Sequence, residues 1–209
     1  MAIKKQHIVI IILLILIIFV LGIIIGNLLS TKQINIVNKY IRDSELNTES
    51  FLIEQSLIEN TNQSCNLFNL RLNALSDDLW QLGGILGKET AENDLGKDNY
   101  NLLKRKFHLM QIKTFLTYSK LNKNCQLKGP VILFYFKQKD NDSGEQGRIL
   151  DKVVSNFNAT IFAIEYNYSE ELEFLEKHYN VEITPTLIIK FNIKKEGLTS
   201  YEDIEKLLK

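Results

Sequence analysis

Tyr179-Asn-Val-Glu-Ile-Thr-Pro-Thr-Leu-Ile-Ile189 is the stretch on which the reading of this chain turns. A threonine–proline pair is followed at once by an unbroken apolar run. An X-Pro bond is the one peptide for which cis costs little, so Thr184-Pro185 reads as a turn feeding a strand. Upstream, Val131-Ile-Leu-Phe-Tyr-Phe136 is a second apolar strand, entered through Gly129-Pro130 and left through a polar loop from Lys137 to Gly147. The pattern around these strands predicts a helix near 144–156, a strand over 159–165, a helix over 169–179, a strand over 186–192, a short strand or turn, and a helix over 199–208. Thr199-Ser-Tyr-Glu202 has capping-box spacing ahead of that last helix, with Thr199 as the cap. A β-α-β opening with apolar strands implies a mixed sheet buried by helices.

In order and spacing these segments resemble the thioredoxin-like superfamily, over residues 129–209. Tyr179 to Thr186 is similar to the family's Y-x-V-x-x-x-P-T segment. Ser143-Gly-Glu-Gln-Gly-Arg-Ile-Leu150 resembles the start of its first helix, and Gly197, Ser200 and Ile204 its terminal pattern. The resemblance implies an α/β domain with a mixed sheet flanked by helices. It also implies a cis-proline loop at Thr184 and Pro185, which in the family faces the active site and meets extended peptide through backbone groups. Counted back from Leu150-Asp151, the family's redox C-x-x-C positions fall on Asp140 and Ser143. A cysteine at a helix start is activated because the helix dipole favours its thiolate. Asp140 is instead a good cap that cannot exchange disulfides. The resemblance therefore implies a fold without thiol–disulfide chemistry, with no catalytic residue and no cofactor. A peptide- or protein-binding face that outlives catalysis and a relic turn that only holds the fold together both remain open.

Ahead of this domain, Ile8 to Leu29 is an uncharged aliphatic run. As a helix it would extend roughly 33 Å, enough for a hydrocarbon core of about 30 Å. It is too long for the apolar core of a cleaved signal peptide, and it lacks a small-residue cleavage site. The expectation is a transmembrane signal-anchor at 8–29 in contact with lipid, residues 1–7 cytoplasmic, and the remainder extracytoplasmic. Lys4 and Lys5 ahead of the run favour that orientation. Gly22 and Gly26 have the small-xxx-small spacing through which such helices dimerise. Residues 30–47 read as a polar helical stalk without a clear core face.

Residues 48–126 read as a helical hairpin. Phe51, Ile58, Cys65, Leu72 and Leu79 recur every seven residues, with Phe68, Leu75 and Leu82 between the later ones. Glycines at 83, 84, 87 and 96 interrupt, and a second helix runs from about Asp98 to about Leu121. The only two cysteines are Cys65 and Cys125. An antiparallel hairpin brings them level, and an even count outside the cell favours pairing. Two reduced buried thiols, and a redox-active pair, are the competing readings.

Equal numbers of basic and acidic residues, 25 of each, exclude the basic footprint of a nucleic-acid binder. His7, His108 and His178 have no paired metal-ligand spacing. Four N-x-[ST] sequons begin at Asn62, Asn141, Asn158 and Asn167. Two functions lead, ahead of a purely structural envelope component with no specific client. One is a membrane-anchored, redox-inactive binding or scaffold module for envelope protein folding or assembly, with a protein or extended peptide at its thioredoxin-like face. The other is an oxidoreductase, or a redox partner, using Cys65 and Cys125.

Overall fold

The computed structural model describes residues 5–58, 65–122, 125 and 129–209. Its elements in chain order are α1 (Lys5–Ile58), α2 (Cys65–Leu86), α3 (Ala91–Leu95), α4 (Lys97–Asn122), β1 (Val131–Phe136), α5 (Asn141–Phe157), β2 (Thr160–Glu165), a 3-10 turn (Glu170–Leu172), α6 (Glu173–Tyr179), β3 (Thr186–Ile189), β4 (Ile193–Glu196) and α7 (Tyr201–Leu208). The sequon at Asn62 and residues 1–4 lie outside the described residues.

The expected transmembrane helix is corrected. Among the described residues, no helix is long and apolar enough to cross a membrane. Residues 8–29 belong to the single helix α1, but the side chains of Ile8, Val9, Asn27 and Leu29 are outside the described set. The signal-anchor assignment and the single-pass localisation with a cytoplasmic N-terminus fall with the span. The lipid contact expected of residues 8–29 rested on it.

The hairpin is also corrected, to a three-helix arrangement. The polar segment from Glu59 to Ser64 has no apolar residue to continue the seam. The chain reverses between α1 and α2, as Asn47 pairs with Asp78 and Arg71 with Ser50. α2 and α4 are antiparallel, with the Ser76 and Tyr118 hydroxyls 3.0 Å apart. α4 runs alongside α1 through Lys106–Glu45 and Lys113–Glu49 ion pairs. The stalk does have a core face. Val37 and Ile41 are fully packed, with Ile34 against the same core and Thr48 buried two turns on.

The sheet has the order β2-β1-β3-β4. β1 is parallel to β2 and antiparallel to β3, and β3 is antiparallel to β4. Alternate side chains of β1 point to opposite faces, as a pleated strand requires. Ile132 and Phe134 pack with Leu150 and Val153 of α5 and Ile204 of α7. Val131, Leu133 and Tyr135 face the other way and share one core with α6 and the helical bundle. α4 is the common wall, with Phe115 edge-on to Phe162 of β2. Gly129 admits the chain to β1, since a Cβ there would lie 2.2 Å from the Asn158 carbonyl oxygen.

The last helix is capped by Ser200, not by Thr199: the Asp203 amide donates to the Ser200 hydroxyl at 3.2 Å. Thr199 is engaged elsewhere. Its amide donates to Gln146 Oε1 at 2.8 Å, and Gln146 Nε2 donates back to the Thr199 carbonyl. This reciprocal pair, with Gln146 fully buried, fastens α5 to the entry of α7.

An analogous amide pair guards the β2 edge of the sheet. Gln111 of α4 donates from Nε2 to the Ala163 carbonyl and accepts the Ala163 amide on Oε1, both at 2.9 Å. An unpaired edge strand is a template for foreign strands, and one side chain here occupies both groups of its central residue. Gln111→Leu should cost about 2 kcal/mol, because two partly buried backbone groups lose their partners. Urea denaturation measures this, and amide exchange at Ala163 should accelerate in the variant.

Candidate functional site

The C-terminal end of β1 gathers the residues that the sequence singles out. Tyr135 pairs with Thr186, so Pro185 sits directly ahead of β3, beside the end of β1 from which the chain passes to Asp140 and α5. The Thr184–Pro185 peptide is cis. Pro185 is buried and its carbonyl accepts from the Gly197 amide at 2.8 Å. The Thr186 hydroxyl donates to the Ile183 carbonyl at 2.7 Å. No hydrogen bond within the described structure engages the backbone N–H or C=O of Thr184. Beside it the Ile183 side chain is 51% exposed.

Asp140 is the N-cap of α5, in extended backbone conformation. Its Oδ2 accepts from the Ser143 amide at 2.9 Å and from the Ser143 hydroxyl at 2.6 Å. The Ser143 oxygen in turn accepts from the Lys137 amide at 3.1 Å. Ser143 is buried, so the hydroxyl is fixed between loop and cap. The Ser143 hydroxyl, then its amide, hold the Asp140 carboxyl below the usual carboxylate range, with Lys137 adding a smaller push. A carboxyl carbon NMR titration should therefore place the Asp140 midpoint below that of an unstructured aspartate. Ser143→Ala should move it back up. The linked stability is fully present above the unfolded aspartate value, about 3.9, and is lost as pH falls through the lower folded value.

Cys65 and Cys125 form a disulfide, with Cα atoms 5.5 Å apart, and no described cysteine is free. Both are partly buried, and Cys125 packs against the main core. The bridge ties the first described residue of α2 to the chain just beyond α4. Cys125 precedes the N-terminal end of β1, whereas Asp140 follows its C-terminal end. A six-residue strand separates these ends by roughly 20 Å. The disulfide and the Asp140–Ser143 pair are therefore at opposite ends of the strand. Gly22 and Gly26 lie four residues apart on α1, and a Cβ at either would meet nothing within 4 Å.

A second polar cluster was hidden in the sequence. Lys104 of α4 forms an ion pair with Glu165 of β2 at 2.5 Å, with side-chain exposures of 7% and 14%. The Lys104 ammonium also lies 4.8 Å from the Tyr168 ring centroid and 5.3 Å from that of Tyr100. One turn on, His108 is buried and edge-on to Tyr168. Its imidazole is held down to about 3, first by burial and then by the Lys104 charge. Read singly, these residues are isolated polar positions in a helix. Their signal is the spacing of Lys104, His108 and Gln111, which gives α4 a polar stripe against the sheet. Among the described residues, no cluster of His, Cys, Asp and Glu is arranged to hold a metal ion.

No family model matches the chain, and no curated protein does. Among solved structures, a point mutant of the thioredoxin of Halobacterium salinarum NRC-1 is 14% identical, over 39% of this chain and 73% of that one, with a TM-score of 0.34. A structure titled as a malarial protein is 20% identical, over 38% of this chain and 92% of that one, with a TM-score of 0.32. Likeness at this level carries no argument about function. Residues 129–209 combine the strand order β2-β1-β3-β4, helices on both faces and a cis Thr184–Pro185 bond ahead of β3, an arrangement in keeping with the thioredoxin-like resemblance of the sequence.

Proposed function

We propose that the thioredoxin-like domain is a non-catalytic module that binds an extended peptide segment of a partner protein at the cis-proline loop. The observation that carries this reading is the unengaged Thr184 backbone beside exposed Ile183. An extended chain gains affinity from main-chain hydrogen bonds to such groups and selectivity from a neighbouring apolar side chain. The start of α5 supports a binding role over a catalytic one. Asp140 and Ser143 satisfy one another there, and neither can form a mixed disulfide.

The test is titration of the isotopically labelled protein with a panel of unstructured decapeptides, each with one central apolar residue, followed by amide shifts. Supporting panel members move the Ile183 and Thr184 signals saturably, and Ile183→Asp weakens them at least fivefold. If no peptide perturbs these amides, or if the variant binds as well as the parent, the reading is wrong.

A further inference from the structure

A cavity of about 590 Å³ lies between α2, α4 and the β2 edge of the sheet. It is distinct from the cis-proline loop, which lies across β1 on the β3 side. Leu79, Phe107, Ile161 and Phe162 supply apolar walls, and Gly83, Gly84 and Gly87 line the α2 side. Gly84 is open, since a Cβ there would meet nothing within 4 Å. Trp80 also lines it and is 81% exposed. A large aromatic left in solvent at the rim of an apolar hollow is unusual for a residue that folding alone would bury.

The decisive feature is His108. It lines the cavity and is 1% exposed, yet neither Nδ1 nor Nε2 has a hydrogen-bond partner of good geometry among the described residues, since the Ala163 backbone that lies near it is already paired with Gln111. A buried polar atom without a partner costs free energy, so it marks a place where a partner belongs. A neutral imidazole offers one donor and one acceptor. The charges nearby are already matched, because Lys104, which lines the cavity, pairs with Glu165. A cationic ligand would meet the Lys104 ammonium, and a carboxylate would compete with Glu165 for it. The volume falls within the usual range of small-molecule sites, about 300–1,000 Å³.

We infer that this cavity binds a neutral, flat aromatic small molecule carrying a single hydroxyl or N–H, which hydrogen-bonds the His108 imidazole while its rings lie between Phe107 and Trp80.

N-phenyl-1-naphthylamine is a suitable probe, being neutral and aromatic with one N–H. Trp80 is the only tryptophan of the chain, so transfer of its emission to the probe reports occupancy next to it. The full chain should quench saturably, at one probe per chain. Gly84→Leu sends a side chain into the hollow from a position where its Cβ meets nothing within 4 Å, and should weaken binding at least tenfold, while leaving thermal unfolding no lower. Signal common to both proteins reports probe on the exposed aliphatic part of α1 and is subtracted. The parent should also prefer the amine over 1-benzylnaphthalene, which lacks the N–H, by about fivefold or more, and His108→Phe should abolish that preference. Non-saturable quenching, unchanged binding in Gly84→Leu, or a preference that survives His108→Phe would each overturn the inference. Unchanged binding would place the probe outside the hollow, and a surviving preference would give its N–H a partner other than His108.

Discussion

Between pH 6.5 and 4.5 the protein should lose up to about 1.4 kcal/mol of stability per pH unit more than a His108→Phe variant does. The unfolded imidazole titrates near 6.5, whereas burial and the Lys104 charge hold the folded one down to about 3. Below 6.5 the unfolded chain takes up a proton that the folded chain refuses, so protonation pulls toward unfolding. The contribution is therefore fully present above 6.5, declines as pH falls and is exhausted near the folded value. The depressed carboxyls of Asp140 and Asp203 act in the same direction, but only below the ordinary carboxylate range near pH 4. Glu176 is raised by burial, so its contribution is lost as pH rises and opposes the trend. The variant retains all three carboxyls, so the difference from the parent isolates the histidine. Urea midpoints at half-unit pH steps measure it. Equal slopes in the two proteins would show that His108 is not buried as a neutral base.

Reduction of the Cys65–Cys125 bridge should cost a comparable amount. The cysteines are 60 residues apart and enclose all of α2, α3 and α4. Cross-linking a loop of that length restricts the unfolded chain by about 4 kcal/mol on the chain-entropy account. The bridge also holds the start of α2 against the chain that leads into β1, so its loss frees the bundle from the sheet at one corner. The double variant Cys65→Ala, Cys125→Ala should match the reduced protein in urea denaturation. A loss below 1 kcal/mol in both would mean that the closed loop hardly limits the unfolded chain.

The sheet was legible because its signals are local. A Gly-Pro entry, two apolar runs and Thr184-Pro185 each act within a few residues of where they stand, and each marks a strand boundary in the structure. Asp140 was reached through the resemblance, counting back from Leu150-Asp151, and its role as a cap is local, since an N-cap needs only its own loop and the next three residues. The bundle was less legible. Ile34, Val37, Ile41 and Thr48 carry a helical core spacing, but Lys39, Arg42 and Glu45 between them and the long aliphatic run before them mask it. The aliphatic run reads as a membrane span on length and hydropathy, and the described helix does not meet that criterion. Thr199 misleads for another reason: its cap-like position is overridden by Gln146, which is distant in sequence and adjacent only in the fold. Lys104, His108 and Gln111 were unreadable as a group because their partners, Glu165 and Ala163, belong to a strand whose placement against α4 no local rule supplies.

Incubation of the oxidised full chain with dithiothreitol and a small-molecule disulfide, read by initial rate and by mass spectrometry, addresses the central claim most directly. A helix α5 whose cap is a carboxylate bonded to a hydroxyl should leave the rate at the uncatalysed level, with no mixed disulfide formed at Cys65 or Cys125. A rate that rises in proportion to protein and vanishes in the cysteine-free variant would contradict the account.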